Sequence, residues 1–168
     1  MFDLNPVSWF ASLPNELAVV LLSMIPITEL RASIPIGIEV YGLAVWKVWI
    51  LAVLGDFLPA LVILYFLPIM HDWVVKRKFF GPVLTRELKK AEKKFEGRYA
   101  KYGAIALIIF VGIPLPFTGS WTGSLASFVF NIPLKKSWYL ILIGVCLSAT
   151  LVTLITLSAG GIVRGLFL

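Results

Sequence analysis

Glu29 and Arg31 stand two positions apart in IPITELRASIPIG, residues 25–37, a run that is otherwise apolar and fenced by prolines. A carboxyl that can take up a proton beside a permanently charged guanidinium is equipment for proton-linked binding of a charged group. A charge at mid-bilayer costs about 2.5–3.5 kcal/mol even on lenient insertion scales, so both side chains are expected to face protein or water rather than lipid. A spacing of two puts them on nearly opposite sides of a helix but on one side of an extended segment. Pro35 biases Ile34 towards extended geometry and suits the first turn of a returning helix. The expectation is therefore a non-helical tip with both charges turned into one cavity. An equally physical alternative has the two charges bond each other, or the freed backbone, and hold the tip shut.

A second break, IPLPFTGSWTGSLAS at residues 113–127, carries no charge but is rich in small and hydroxyl residues. Pro114 and Pro116 interrupt the run, and Thr118, Gly119, Ser120, Thr122 and Gly123 supply hydroxyls or close backbone approach, with Trp121 among them. A helix opening near Gly119 and another near Pro35 would point free N–H groups at the midplane, and with Arg31 would make an anion site. The same glycines also fit a close-packing seam, within one chain or between copies in a homo-oligomer. Asp56, in LGDFLPA, lies three residues before Pro59, where it could relay protons alongside Glu29 or solvate a kink. Glu39 and His71 fall near expected interfaces. No nucleophile has a partnered base, and neither metal-ligand spacing nor a phosphate-loop pattern occurs, so an enzyme, a metal and a cofactor are not expected.

The elements that must position these residues are those of an all-α integral membrane protein. With 60% hydrophobic residues and a mean hydropathy of +0.95, the 168-residue chain carries more apolar surface than one soluble core could bury. The start lacks a basic n-region and a cleavage site, so no signal peptide is expected. Cys146 stands alone in an apolar segment, which leaves no disulfide framework.

Of fifteen basic residues, ten lie between Lys76 and Lys101. There Leu84, Leu88, Ala91, Phe95, Tyr99 and Tyr102 recur at helical spacing, which predicts an amphipathic helix over 76–102 on the cytoplasmic face, against anionic headgroups. That topology accounts for the charge, so nucleic acid is not an expected partner. The apolar runs 15–27 and 103–116 are shorter than the ~20 residues of a crossing, whereas 46–75 and 137–163 are long enough. The expected architecture is two repeats, 15–75 and 103–168, each a re-entrant helical hairpin followed by one transmembrane helix, after an interfacial segment 1–14. Pro26 falls on Pro114, and an offset of 88 or 89 then brings Trp49 onto Trp138 and Gly55 onto Gly144. Because each unit crosses once, the second must be inverted. Lys135 and Lys136 then lie on the cytoplasmic side of the plasma (inner) membrane and both termini lie outside. Inverted repeats whose broken helices meet at the midplane are the construction of secondary transporters.

At these motifs the chain resembles the small multidrug export protein family, a distant relative of the DedA (VTT-domain) membrane proteins. ELRASIPIG, LGDFLPA and IPLPFTGSWTGSLAS carry the resemblance, which runs from about residue 17 to 160. It implies a transporter in which Glu29 and Arg31 are the acidic and basic members of the first motif. Pro114, Pro116, Gly119, Trp121, Thr122 and Gly123 match the second. The DedA-like side of the resemblance implies proton-dependent movement of a phosphate-bearing lipid such as a polyprenyl phosphate, and the family name implies export of lipophilic cations. A non-transporting assembly factor is the third reading. Phe117 replaces a usual glycine, Asp56 a usual asparagine, and the second hairpin lacks the arginine that DedA relatives carry.

Overall fold

The computed structural model describes residues 10, 13–75, 99–115, 118–130 and 132–167. Its elements are α1 (Asn15–Met24), α2 (Glu29–Pro35, passing directly into a π turn, Ile36–Val40), α3 (Val45–Val75), α4 (Tyr99–Gly112), α5 (Ser120–Val129) and α6 (Leu134–Phe167). No strand occurs among the described residues. The basic stretch from Lys76 to Arg98, Pro116, and most of the expected interfacial segment 1–14 lie outside them.

Local chemistry explains most of the boundaries. Pro14 precedes α1 and Pro133 precedes α6, where a missing N–H costs nothing because the first turn has no acceptor for it. Pro26 stops α1 by forcing Ile25 out of the helical region, to φ −80 and ψ 127. Gly42, at φ 62, takes the left-handed conformation that turns the chain from the π turn into α3.

Pro35 behaves differently from the sequence expectation. It ends the α-helical part of α2 instead of starting it, and Ile34 before it is helical. The local bias of a pre-proline residue is small beside the packing of the Ile34 side chain, which is fully buried in the core.

Among the described residues two stretches are apolar and long enough to cross a bilayer, Val45–Leu67 and Leu134–Ala159, while α1 and Gly103–Gly112 are shorter. Their faces are sorted as hydrocarbon would sort them. α3 exposes Trp46, Ile50, Leu54, Leu58 and Val62 at four-residue spacing, and buries Val48, Ala52, Asp56, Ala60 and Leu64 at the same spacing. Large apolar side chains thus face outward while small and polar ones face the helix contacts, the arrangement expected when lipid is the solvent.

The registers of neighbouring helices define the layout. Glu16 at the start of α1 accepts a bond from Lys47 at the start of α3 (2.7 Å), which holds the Glu16 carboxyl below its ordinary range. Further along, Gly55 packs on Val20 and Ser23, so α1 and α3 run in the same direction. In the second half Gly144 packs on Ile108 and Val111, and Gly112 on Leu147, so α4 and α6 also run together. Successive parallel helices require a return between them, which α2 and α5 provide. α5 lies along α3, tied by Ser120 Oγ donating to the Asp56 carbonyl (2.8 Å) and Ser124 Oγ to that of Ala60 (3.3 Å). α2 correspondingly packs on α6, and α3 on α6, where Trp49 Nε1 donates to Thr150 Oγ1 (3.3 Å).

Candidate functional site at the meeting of two helix breaks

The first break is the turn Ile25–Thr28. Helices end with unpaired carbonyls, and in a membrane those need partners. Thr28 supplies one, its hydroxyl donating back to the Leu22 carbonyl at 2.5 Å. Glu29 follows at φ 44, a left-handed conformation costing a non-glycine residue about 1–2 kcal/mol. This one residue corrects the expected extended tip. Glu29 already belongs to α2, whose regular geometry would send Glu29 and Arg31 to opposite sides, and its left-handed backbone turns its side chain so that Arg31 Nη2 donates to Glu29 Oε2 at 2.5 Å. Glu29 is buried at 5% exposure, and the Arg31 side chain keeps 24%.

The second break repeats the device. Thr118 Oγ1 donates to the carbonyls of Ile113 and Leu115 (both 2.8 Å), closing the turn that Pro114 opens. Gly119 caps α5 in an extended conformation, φ −76 and ψ −166, as the sequence anticipated for a helix opening there. A Cβ on Gly119 would collide with both carboxylate oxygens of Glu29. The Glu29 carboxylate therefore rests on the bare backbone at the N-terminus of α5, where the helix dipole favours negative charge.

Asp56 completes the cluster. Its side chain is 1% exposed, its Oδ1 has no hydrogen-bond partner, and its charged or polar neighbours are Glu29, Ser120 and Arg31. Glu29, Arg31, Asp56, Gly119 and Ser120 thus meet at one place, drawn from three separate stretches of chain. Of the other expected site residues, Thr122 reaches the cluster through the Gly119 carbonyl, and several others have contacts elsewhere. Pro35 ends the α-helical part of α2, Thr118 holds its own turn, Thr122 Oγ1 donates to the Gly119 carbonyl (3.1 Å), and Gly123 packs on Val111 of α4. Trp121 presents a buried Nε1 without a partner.

Of the features expected to form an anion site, Arg31 and the α5 N-terminus both meet Glu29 in this conformation, whereas the helix start expected near Pro35 does not occur. The glycine seam is likewise filled from within the chain, by Glu29 at Gly119 and Val111 at Gly123. Sequence reasoning missed Thr28, and missed Ser23, whose hydroxyl donates to Val19 and to Ser33 Oγ (2.6 Å) between α1 and α2. Hydroxyls isolated in apolar runs beside a break were the available signal. Among the described residues no group of three histidine, cysteine or acidic side chains could hold a metal ion.

A family model described as "Putative small multi-drug export protein" matches residues 29–151. The chain belongs to that family. The matched region opens on Glu29 and takes in Arg31, Asp56 and the whole second break, so the cluster lies inside it. No curated protein and no solved structure matches the chain. Membership and two membrane-length helices make this family member a membrane protein of the export type.

Proposed function

We propose that the chain is a proton-coupled secondary transporter working by alternating access, with Glu29 as its coupling carboxylate and an anionic, phosphate-bearing lipid as its substrate. The carrying observation is the double engagement of Glu29, which holds the Arg31 guanidinium and occupies the Gly119 seat at the N-terminus of α5. A proton on Glu29 removes the charge that both positive features attract. Arg31 and the α5 N-terminus are then free for a phosphate headgroup, so proton uptake and anion binding are linked. Return of the proton restores the pair and expels the anion. Asp56 is a second titratable group at the same place.

Two inverted repeats, 15–75 and 103–168, support alternating access. The parallel pairs α1 with α3 and α4 with α6, and the run of α5 along α3, are the registers such an arrangement requires. In this reading α1–α2 and α4–α5 are re-entrant hairpins within a single membrane domain. The basic stretch 76–102 lies on the cytoplasmic face of the plasma membrane against anionic lipid, and both termini lie outside. A polyprenyl phosphate, as in the DedA-like resemblance, is the anionic lipid we favour. The second reading, export of a lipophilic cation, is favoured by the family description and by two carboxyls beside a single arginine.

Proteoliposomes under an imposed pH gradient test the proposal, with wild type and Glu29→Gln offered a polyprenyl phosphate analogue and, separately, a cationic dye. Gradient-driven movement of the lipid that disappears in Glu29→Gln is the expected outcome. Movement of the dye alone supports the cation reading. Coupled transport unchanged in Glu29→Gln overturns the role given to Glu29.

A further inference from the structure

We infer that the Glu29–Arg31–Asp56 cluster holds one proton when the site is empty, and that this proton sits on Asp56 while Glu29 stays ionised. The inference deepens the role proposed for this site and rests on that reading only for its bearing on transport.

The argument is one of charge balance among buried groups. Three ionisable side chains meet, two acidic and one basic, with Glu29 and Asp56 at 5% and 1% exposure. Among the described residues no other charged group acts on Asp56. Its neighbours from α2 are Glu29 and Arg31 and from α5 the Ser120 hydroxyl, while α1 and α6 contribute no titratable group to it. With both carboxyls ionised the cluster would bury a net negative charge without a second cationic side chain among the described residues, and buried charge persists only when paired. One proton makes the cluster neutral.

Geometry then decides which carboxyl carries it. Glu29 has the Arg31 guanidinium on one oxygen and lies on the N-terminus of α5, two features that stabilise a negative charge. Asp56 has neither. Its Oδ1 meets no donor among the described residues, and an ionised carboxylate could not leave an oxygen buried in that state without a large penalty. Ser120 Oγ, the hydroxyl beside it, already donates to the Asp56 carbonyl. Asp56 is thus the acid of the pair and Glu29 the base. Neutrality also predicts partner exchange: once Glu29 is neutralised, Asp56 becomes the anion available to Arg31 unless a substrate anion takes its place. The first negative charge bound by the site then draws in one further proton, the last that its two carboxyls can take, and transport of a monoanion moves no net charge.

Infrared difference spectroscopy of the purified full chain at neutral pH, without substrate, reads the count directly. The Glu29→Gln/Asp56→Asn double variant serves as the baseline, because it has no cluster carboxyl. Against it, wild type is expected to show the C=O band of one protonated carboxylic acid and Asp56→Asn none. Glu29→Gln is also expected to show none, since Asp56 then ionises to balance Arg31. Arg31→Gln is expected to show two. No band in wild type, or a band that survives in Asp56→Asn, overturns the assignment to Asp56. A band that survives in Glu29→Gln overturns the charge-balance argument. Asp56→Asn is nearly isosteric and carries the decision if Arg31→Gln does not fold. Because nothing is transported in this measurement, failure of the transport assay and failure of the proton count are separate results.

Discussion

Glu29 shows how much one residue's backbone can decide. Its left-handed conformation costs about as much as a good buried hydrogen bond returns, and it brings an arginine, a bare glycine and a second carboxyl within reach of one carboxylate. Gly119 is the matching half of that contact. Gly119→Ala places a methyl group against the Glu29 carboxylate, and overpacking of this kind costs about 1–3 kcal/mol. Glu29→Asp withdraws the carboxylate by one methylene and leaves room for the methyl. In detergent melts, Gly119→Ala is expected to lower stability, and the double variant with Glu29→Asp to lose less than the sum of the two single losses. Strict additivity would mean that the two residues do not touch.

At the scale of elements, glycine sets how closely the helices approach. Gly55 on α3 faces the Val20 carbonyl of α1, and Gly144 on α6 lies 3.1 Å, measured from a Cβ built on it, from the Ile108 carbonyl of α4. Gly55 and Gly144, which the sequence alignment pairs, each face a backbone carbonyl of a neighbouring helix. Alanine gains up to about 1 kcal/mol over glycine in a helix. A Cβ driven into a neighbouring helix costs about 1–3 kcal/mol, so the collision outweighs the propensity gain over most of that range. Gly55→Ala and Gly144→Ala are expected to destabilise the protein by similar amounts in thermal melts. A gain in stability from either would show that the helices are not held at this distance. The hydroxyls of Thr28 and Thr118 also occupy corresponding places, each bonding a carbonyl left open before its break. In the sequence they were indistinguishable from ligand groups, because a hydroxyl suits both purposes.

For the whole molecule, pairwise registers carry more than any single helix does. α1 with α3 and α4 with α6 run parallel, and α5 runs along α3. The two inverted units proposed above would place the two ends of the chain on one side of the membrane. Reporter fusions inserted in the basic stretch 76–98 are expected to report the cytoplasm, and fusions at the C-terminus the opposite side. A C-terminal fusion that reports the cytoplasm would overturn the inversion. The expected monoanion transport, if proton-balanced, is insensitive to membrane potential, whereas an uncompensated anion would respond to it.

The sequence by itself determined the solvent and the interruptions. Apolar runs of two lengths separated long helices from short ones, and prolines 26 and 114 marked both breaks. Glu29, Arg31 and Asp56 stood out because charge in hydrocarbon is costly enough to need a reason. Those are local properties, readable from composition and spacing. Only the tertiary structure decided that Glu29 rests on Gly119, 90 positions away, that Asp56 joins the same cluster, and that Arg31 is already paired. Spacing could not foresee it, since the pairing depends on a left-handed residue inside the first turn of a helix and on how closely two breaks pack, and both are set by contacts between segments remote in the chain.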